Sequence, residues 1–188
     1  INNLLDSDDV LHTIEAFKAL GVKIIKENKK IIIHGKGLNS LTKPKKNIYL
    51  GNSGTSARLL IGLLASQKFD SNLSGDSSLS SRPMKRITEP LGIMNARIES
   101  KDGKLPIKIY GRTLKNSKIT IGIPSAQIKS GLILAALNTE GTTTLIEKNI
   151  TRNHTEIMLD YFGANIESKK IGNDSVIKII GKKRNYSS

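Results

Sequence analysis

The sequence predicts an α/β (α+β) lobe built from βαβαββ repeats in a pseudo-threefold arrangement, with the first repeat incomplete. A helical stretch, a stop residue and a two-stranded hairpin ending in glycine recur three times along the chain. The stop is Gly21, Asn95 or Gly163, residue types that end helices in the left-handed conformation. These stops recur at about seventy-residue intervals, a period that marks an internal repeat.

The elements follow in order. Asp6-Ser7-Asp8-Asp9 supplies the small and acidic residues that start a helix, which runs to Gly21. Val22-Lys23-Ile24 then pairs with Lys30-Ile31-Ile32-Ile33-His34, closing at Gly35. In the second copy, Lys46-Asn47-Ile48-Tyr49-Leu50 is a strand. The apolar run from Leu59 to Ala65 is a helix entered through Asn52-Ser53-Gly54-Thr55, and Asn72-Leu73-Ser74 is the middle strand. Pro83 after Arg82 marks a first helical turn, and the helix runs to Asn95 before the hairpin that ends at Gly111. The third copy repeats the order. Lys118 to Ile123 is a strand, a helix opens after Ser125, and Thr143 to Ile146 is the middle strand. Asn153 with Glu156 has the spacing of a capping box, and the last hairpin closes at Gly181. The first copy leaves no room for an opening strand and helix, so the chain reads as starting inside repeat one. The expected division is 1–40 for the truncated repeat, 46–111 and 117–181 for the complete ones, and 182–188 for a basic tail.

Composition narrows the function classes. The 188 residues are 37% hydrophobic, enough for one substantial core. No apolar run approaches the roughly 20 residues that span a bilayer, and the opening residues lack the features of a signal peptide. The absence of cysteine excludes disulfides and thiolate chemistry and suits a cytoplasmic setting. Thirty Lys and Arg against 16 Asp and Glu give a net charge of +14, which concentrates anionic ligands and raises a nucleic-acid reading. Against that reading, the lysines are scattered through turns such as Lys26 to Lys30, Lys43-Pro44-Lys45-Lys46 and Lys182-Lys183-Arg184. Four Tyr, three Phe and no Trp form no platform for stacked bases. No Walker loop, dinucleotide fingerprint or metal-ligand cluster occurs, and His154 reads as a helix-start residue rather than a metal ligand. Neither a metal nor a cofactor is expected.

Five helix beginnings are candidates for anion binding: Asp6–Asp9, Asn52–Thr55, Ser80–Arg82, Ser125–Gln127 and Thr151–His154. If they gather on one side, their free N–H groups and positive dipole ends add at one surface. Arg58, Arg82 and Arg152 lie at or near three of them, and guanidinium groups grip carboxylate and phosphate bidentately. The target would be a small polyanionic metabolite. Plainer readings remain for each: Arg82 as a solvated surface arginine, Ser125 and Gln127 as helix caps, Asp8 and Asp9 as caps rather than an acid/base pair.

The runs Asn3 to Asp9, Leu50 to Thr55, Gly75-Asp76 through Ser81-Arg82-Pro83-Met84, Ser125 to Ser130 and Thr151 to Glu156 carry a family resemblance. In order and spacing, across nearly the whole chain, they resemble the 5-enolpyruvylshikimate-3-phosphate synthase family. The Ser-Ala-Gln and Arg-x-His-Thr-Glu wording is similar to its bacterial class II branch. The resemblance implies one lobe of the two-lobed enolpyruvyl transferase fold, each lobe made of three βαβαββ units. It implies transfer of the enolpyruvyl group of phosphoenolpyruvate to the 5-hydroxyl of shikimate 3-phosphate with release of phosphate, on the shikimate route to chorismate and aromatic amino acids.

Residue by residue, it implies that Asn52 and the Gly54 backbone line the phosphoenolpyruvate pocket and that Arg82 binds that ligand's charged end. Ser125, Ala126 and Gln127 would contact shikimate 3-phosphate, with Gln127 reaching both ligands, and Thr151 and Arg152 would lie near its phosphate. The family's opening Lys-Ser-x-x-x-Arg motif would precede Ile1. Its catalytic Asp and Glu would belong to a second lobe, toward which the basic tail leads. No catalytic residue is therefore expected within these residues, and the chain alone is expected to be inactive. Asn153 stands where class II members usually have Asp. Gly54 stands where some glyphosate-tolerant members have Ala, so glyphosate sensitivity is expected. The expected partners are the two substrates and the second lobe, without specific nucleic acid or membrane. Three rivals remain: a UDP-N-acetylglucosamine enolpyruvyl transferase lobe, an RNA-binding or RNA-end-processing module of related fold, and a noncatalytic scaffold. The Asn-Ser-Gly-Thr turn and the Ser-Ala-Gln triplet argue against the first.

Overall fold

The computed structural model describes residues 1–28 and 30–181; Lys29 and the basic tail 182–188 lie outside the described residues. The chain runs α1 (Asp8–Ala19), β1 (Lys23–Glu27), β2 (Lys30–His34), β3 (Ile48–Tyr49), α2 (Gly54–Ala65), β4 (Ser71–Ser74), α3 (Ser77–Ser81) and α4 (Lys85–Ile93). It continues through β5 (Arg97–Ser100), β6 (Ile107–Tyr110), β7 (Lys118–Ile121), α5 (Ala126–Leu137), β8 (Gly141–Lys148), α6 (His154–Tyr161), β9 (Ile166–Ile171) and β10 (Asp174–Gly181).

Two four-stranded sheets share one topology, β3-β4-β6-β5 and β7-β8-β10-β9. In each, the first two strands are parallel and the remaining pairs antiparallel. Parallel neighbours need a crossover, and α2 and α5 supply it. Alternation fixes which face of a strand is inside: Ile107 and Ile109 are buried on either side of exposed Lys108, and Ser175, Ile177, Ile179 and Gly181 are buried along β10. The edge strand β9 is largely exposed and carries Lys169 and Lys170, charges that discourage pairing with another sheet. The first copy contributes α1 and the β1-β2 hairpin, with Ile1 and Asn2 running beside β2.

The three stop residues have one geometry. Gly21, Asn95 and Gly163 have φ of 87°, 68° and 78°. Each donates its N–H three residues back, and the following residue donates five back: Val22 to Phe17, Ala96 to Leu91, Ala164 to Leu159. This is the Schellman closure, and it turns each outer helix into its hairpin. The recurring pattern seen in the sequence is this motif in triplicate.

Helices α2 and α5 are apolar on nearly all sides and lie side by side in a continuous core that reaches from Ala16 to Ile179. Their contact is close enough that a Cβ at Gly62 would lie 2.6 Å from the carbonyl carbon of Gly131. Helices α1, α4 and α6 pack outside with narrower buried faces.

Several local expectations are corrected. Ser80–Arg82 does not begin a helix; it ends α3, which Asp76 caps by accepting the Leu79 N–H at 2.7 Å, and α4 begins at Lys85. Asn153 and Glu156 form no capping box, because the Glu156 carboxylate turns inward to Lys129. Asp8 and Asp9 do not cap α1 with their side chains; Ser7 occupies the cap position without a side-chain hydrogen bond, and both aspartates lie in the first turn. Ser53 and Ser125 do cap their helices.

Candidate functional site

Helix α2 begins a short turn after β3, with Ser53, Gly54 and Ser56 buried and Thr55 exposed in its first turn. The Ser53 hydroxyl accepts the Ser56 N–H at 3.3 Å and meets the Ser56 hydroxyl at 2.7 Å. Thr13, midway along α1, reaches the same Ser56 hydroxyl at 2.6 Å, which packs α1 against the start of α2. Asn52, one residue before the cap, accepts a hydrogen bond from the Arg82 guanidinium through its side-chain oxygen. Arg82 thus leans over the α2 terminus although it sits at the end of α3.

Helix α5 approaches from the other side. Gln127, in its first turn, donates from Nε2 to Thr55 Oγ1 at 2.8 Å and accepts at Oε1 from Arg58 Nη1 at 3.0 Å. The same Arg58 nitrogen donates to the Gly54 carbonyl at 3.1 Å. Burial, and then the charges of Arg82 and Arg86, push the Arg58 pKa below its ordinary value. A guanidinium stays charged at neutral pH regardless, so these cations repel one another and an anion between them removes the repulsion.

The result is an open cavity of about 460 Å³ lined by Ser7, Asp8, Asp9, Asn52, Gly54, Thr55, Arg58, Arg82 and Gln127. A second groove of about 640 Å³ lies alongside it between α1, its hairpin and the start of α2, with a wall that includes Leu4, Val10, Ile14, Phe17 and Ile33. Its apolar lining suits packing against hydrocarbon, whereas the arginine-bearing cavity suits an anion.

The sequence candidates divide into two clusters. Asn52, Gly54, Arg82 and Gln127 line the cavity together. Ser125 and Ala126 open the helix that carries Gln127, with Ser125 Oγ accepting the Ile128 N–H at 3.5 Å. Thr151 and Arg152 lie on the loop between β8 and α6. Thr151 is fixed there by Glu147, which accepts its N–H at 3.1 Å and also its hydroxyl. Arg152 is exposed, and the described residues give it no ion pair.

Thr55 and Lys129 are not among the candidates the sequence singles out, and Arg58 stands out there only for its place near a helix start. Lys129 had a signal: it is the one charged residue in the run from Ala126 to Leu137 and falls on a buried position. Glu147 had another, being in phase with buried Thr143 and Leu145 along β8.

The family described as EPSP synthase (3-phosphoshikimate 1-carboxyvinyltransferase) matches residues 1–188. A 3-phosphoshikimate 1-carboxyvinyltransferase of Oceanobacillus iheyensis is 47% identical over 170 residues, which cover 89% of this chain and 40% of the relative. One from Vesicomyosocius okutanii is 48% identical over 171 residues, covering 90% and 39%. A solved structure of EPSP synthase from Acinetobacter baumannii superimposes with a TM-score of 0.87 at 44% identity, covering 96% of this chain and 40% of that one. The chain therefore spans about 40% of the length of these relatives. Neither the nucleotide-sugar nor the RNA alternative is favoured by these similarities. With the repeat topology and sequence identity in agreement, the chain belongs to the EPSP synthase family.

Proposed function

We propose that this lobe forms one wall of an active site that transfers the enolpyruvyl group of phosphoenolpyruvate to the 5-hydroxyl of shikimate 3-phosphate and releases phosphate. The observation that carries the reading is the convergence of Arg58, Arg82, Gln127 and the α2 N-terminus around Gly54. Phosphoenolpyruvate would bind there, with its charged groups on the two arginines and the free N–H groups of the first turn of α2. Shikimate 3-phosphate would lie against Ser125, Ala126 and Gln127, its phosphate toward Thr151 and Arg152. Gln127, hydrogen-bonded to Thr55 and Arg58, would mark the junction of the two ligands.

The same reading assigns proton transfer to carboxylates of a second lobe that closes over this wall and excludes water. It also keeps the single-lobe division given above and a cytoplasmic setting. The described residues contain no helix long and apolar enough to cross a membrane.

Amide chemical-shift mapping of the 188-residue chain tests the assignment. Shikimate 3-phosphate is expected to move Ser125–Gln127 and Thr151–His154, and phosphoenolpyruvate to move Gly54 and its neighbours. Short RNA is expected to give only diffuse, salt-sensitive changes in the lysine-rich loops. Localised shifts with RNA and none with the two metabolites would overturn the reading. Turnover by the chain alone is expected to be absent.

Gly54→Ala offers a sharper check. A Cβ there would lie 2.9 Å from Arg58 Nη1 and 3.0 Å from Arg82 Nη1. Both are ends of side chains that can swing away, so the fold tolerates the methyl while the anion cradle opens. The expected result is an unchanged unfolding midpoint and about tenfold weaker phosphoenolpyruvate binding, the worth of one charge-assisted hydrogen bond. Unchanged affinity would remove Gly54 from the site.

A further inference from the structure

The arginine-lined cavity leaves the most deeply buried charges of the described residues without a role. The Lys129 side chain is 1% exposed, Glu147 0% and Glu156 7%. The Lys129 ammonium donates to Glu147 Oε2 at 3.0 Å and pairs with Glu156 Oε1 at 2.8 Å. Removing three ionic groups from water is costly, and well-packed apolar residues often serve stability equally well. Stability by itself therefore gives no reason for these residues to be here.

Their positions give one. Lys129 is two residues beyond Gln127 on α5, Glu147 is near the end of β8, and Glu156 is in the first turn of α6. The second oxygen of Glu147 holds both the N–H and the hydroxyl of Thr151. One ammonium thereby sets the separation between the beginning of α5 and the loop that carries Thr151 and Arg152. Glu156 adds less to the tether, since its Oε2 is buried with no hydrogen-bond partner among the described residues.

We propose that Lys129, acting through Glu147, is a positioning residue: it holds Thr151 and Arg152 at a fixed distance from Ser125–Gln127, so that both segments grip one phosphorylated ligand. This rests on the shikimate 3-phosphate assignment made above. A pre-set separation saves the ligand the cost of ordering the loop on binding.

The test is a shikimate 3-phosphate titration of the isotope-labelled 188-residue chain, wild type against the combined Lys129→Met, Glu147→Gln and Glu156→Gln variant. That variant removes every charge of the network at nearly constant volume, so no carboxylate is left unpaired. It is expected to keep the amide response at Ser125–Gln127, lose it at Thr151 and Arg152, and bind about tenfold more weakly. Glu156→Gln alone is expected to keep both responses, because the tether to Thr151 runs through Glu147. If the triple variant does not fold, Glu147→Gln alone is read in the same titration and is expected to lose the Thr151 and Arg152 response. Equal responses and affinity in wild type and variant overturn the positioning role while leaving the ligand site standing. A wild-type chain that responds at neither segment removes the site and this inference with it.

Discussion

Replacing Gly62 with alanine is expected to destabilise the chain by about 3 kcal/mol, at the upper end of what overpacking costs. The added Cβ would lie 2.6 Å from the Gly131 carbonyl carbon and 2.9 Å from its Cα, and closer still to its oxygen. These are backbone atoms, so no side-chain rotation relieves the clash and α2 must move away from α5. The surroundings offer little room, since Leu60, Ile61, Leu64, Leu132 and Ile133 are all at most 2% exposed. Separating the two helices also stretches the bonds from Gln127 to Thr55 and Arg58, so ligand affinity falls together with stability. Gly92→Ala in α4 is the control: its Cβ meets nothing within 4 Å, and a stabilisation of about 0.4–1 kcal/mol is expected. Urea unfolding of the two variants measures both effects. A Gly62→Ala midpoint equal to wild type would show that the α2–α5 contact relaxes without cost.

The sequence exposed the repeat because its signals are local. A Schellman turn needs one residue with positive φ, and Gly21, Asn95 and Gly163 declare it at fixed distances from their hairpins. The buried strands were legible from alternation and the central helices from continuous apolar runs. The partners of those helices were not legible. Nothing local in Leu59-Leu60-Ile61-Gly62 states that Gly62 faces Gly131, because that contact depends on how two distant units dock. The same limit explains the errors at the site. By sequence Arg82 looks like part of a helix start, whereas Asp76 caps the start of that short helix and Arg82 reaches Asn52 from its far end. Glu156 had the spacing of a capping partner for Asn153, but a buried ammonium on another helix attracts its carboxylate more strongly than an exposed backbone N–H does. The long-range ion pair prevailed over the local motif.

The second large effect comes from that ammonium. Lys129→Met alone is expected to destabilise the chain by about 3–5 kcal/mol, the usual consequence of removing one partner from a buried ionic network. Glu147 and Glu156 would then face each other's charge without a cation, at 0% and 7% side-chain exposure. For a chain of this size the loss corresponds to a fall of about 10 °C in thermal midpoint. The variant lacking all three charges is expected to lie much closer to wild type, because replacing a whole buried network by neutral groups of similar volume avoids the stranded charge. The order of midpoints therefore separates two roles. If the network served only to hold the fold, the charge-free variant would recover stability and ligand response together. If Lys129 positions the Thr151 loop, stability recovers while the response at Thr151 and Arg152 stays lost. A Lys129→Met midpoint equal to wild type would mean that both carboxylates find other partners, and a brace so easily replaced could not set the separation of the two segments.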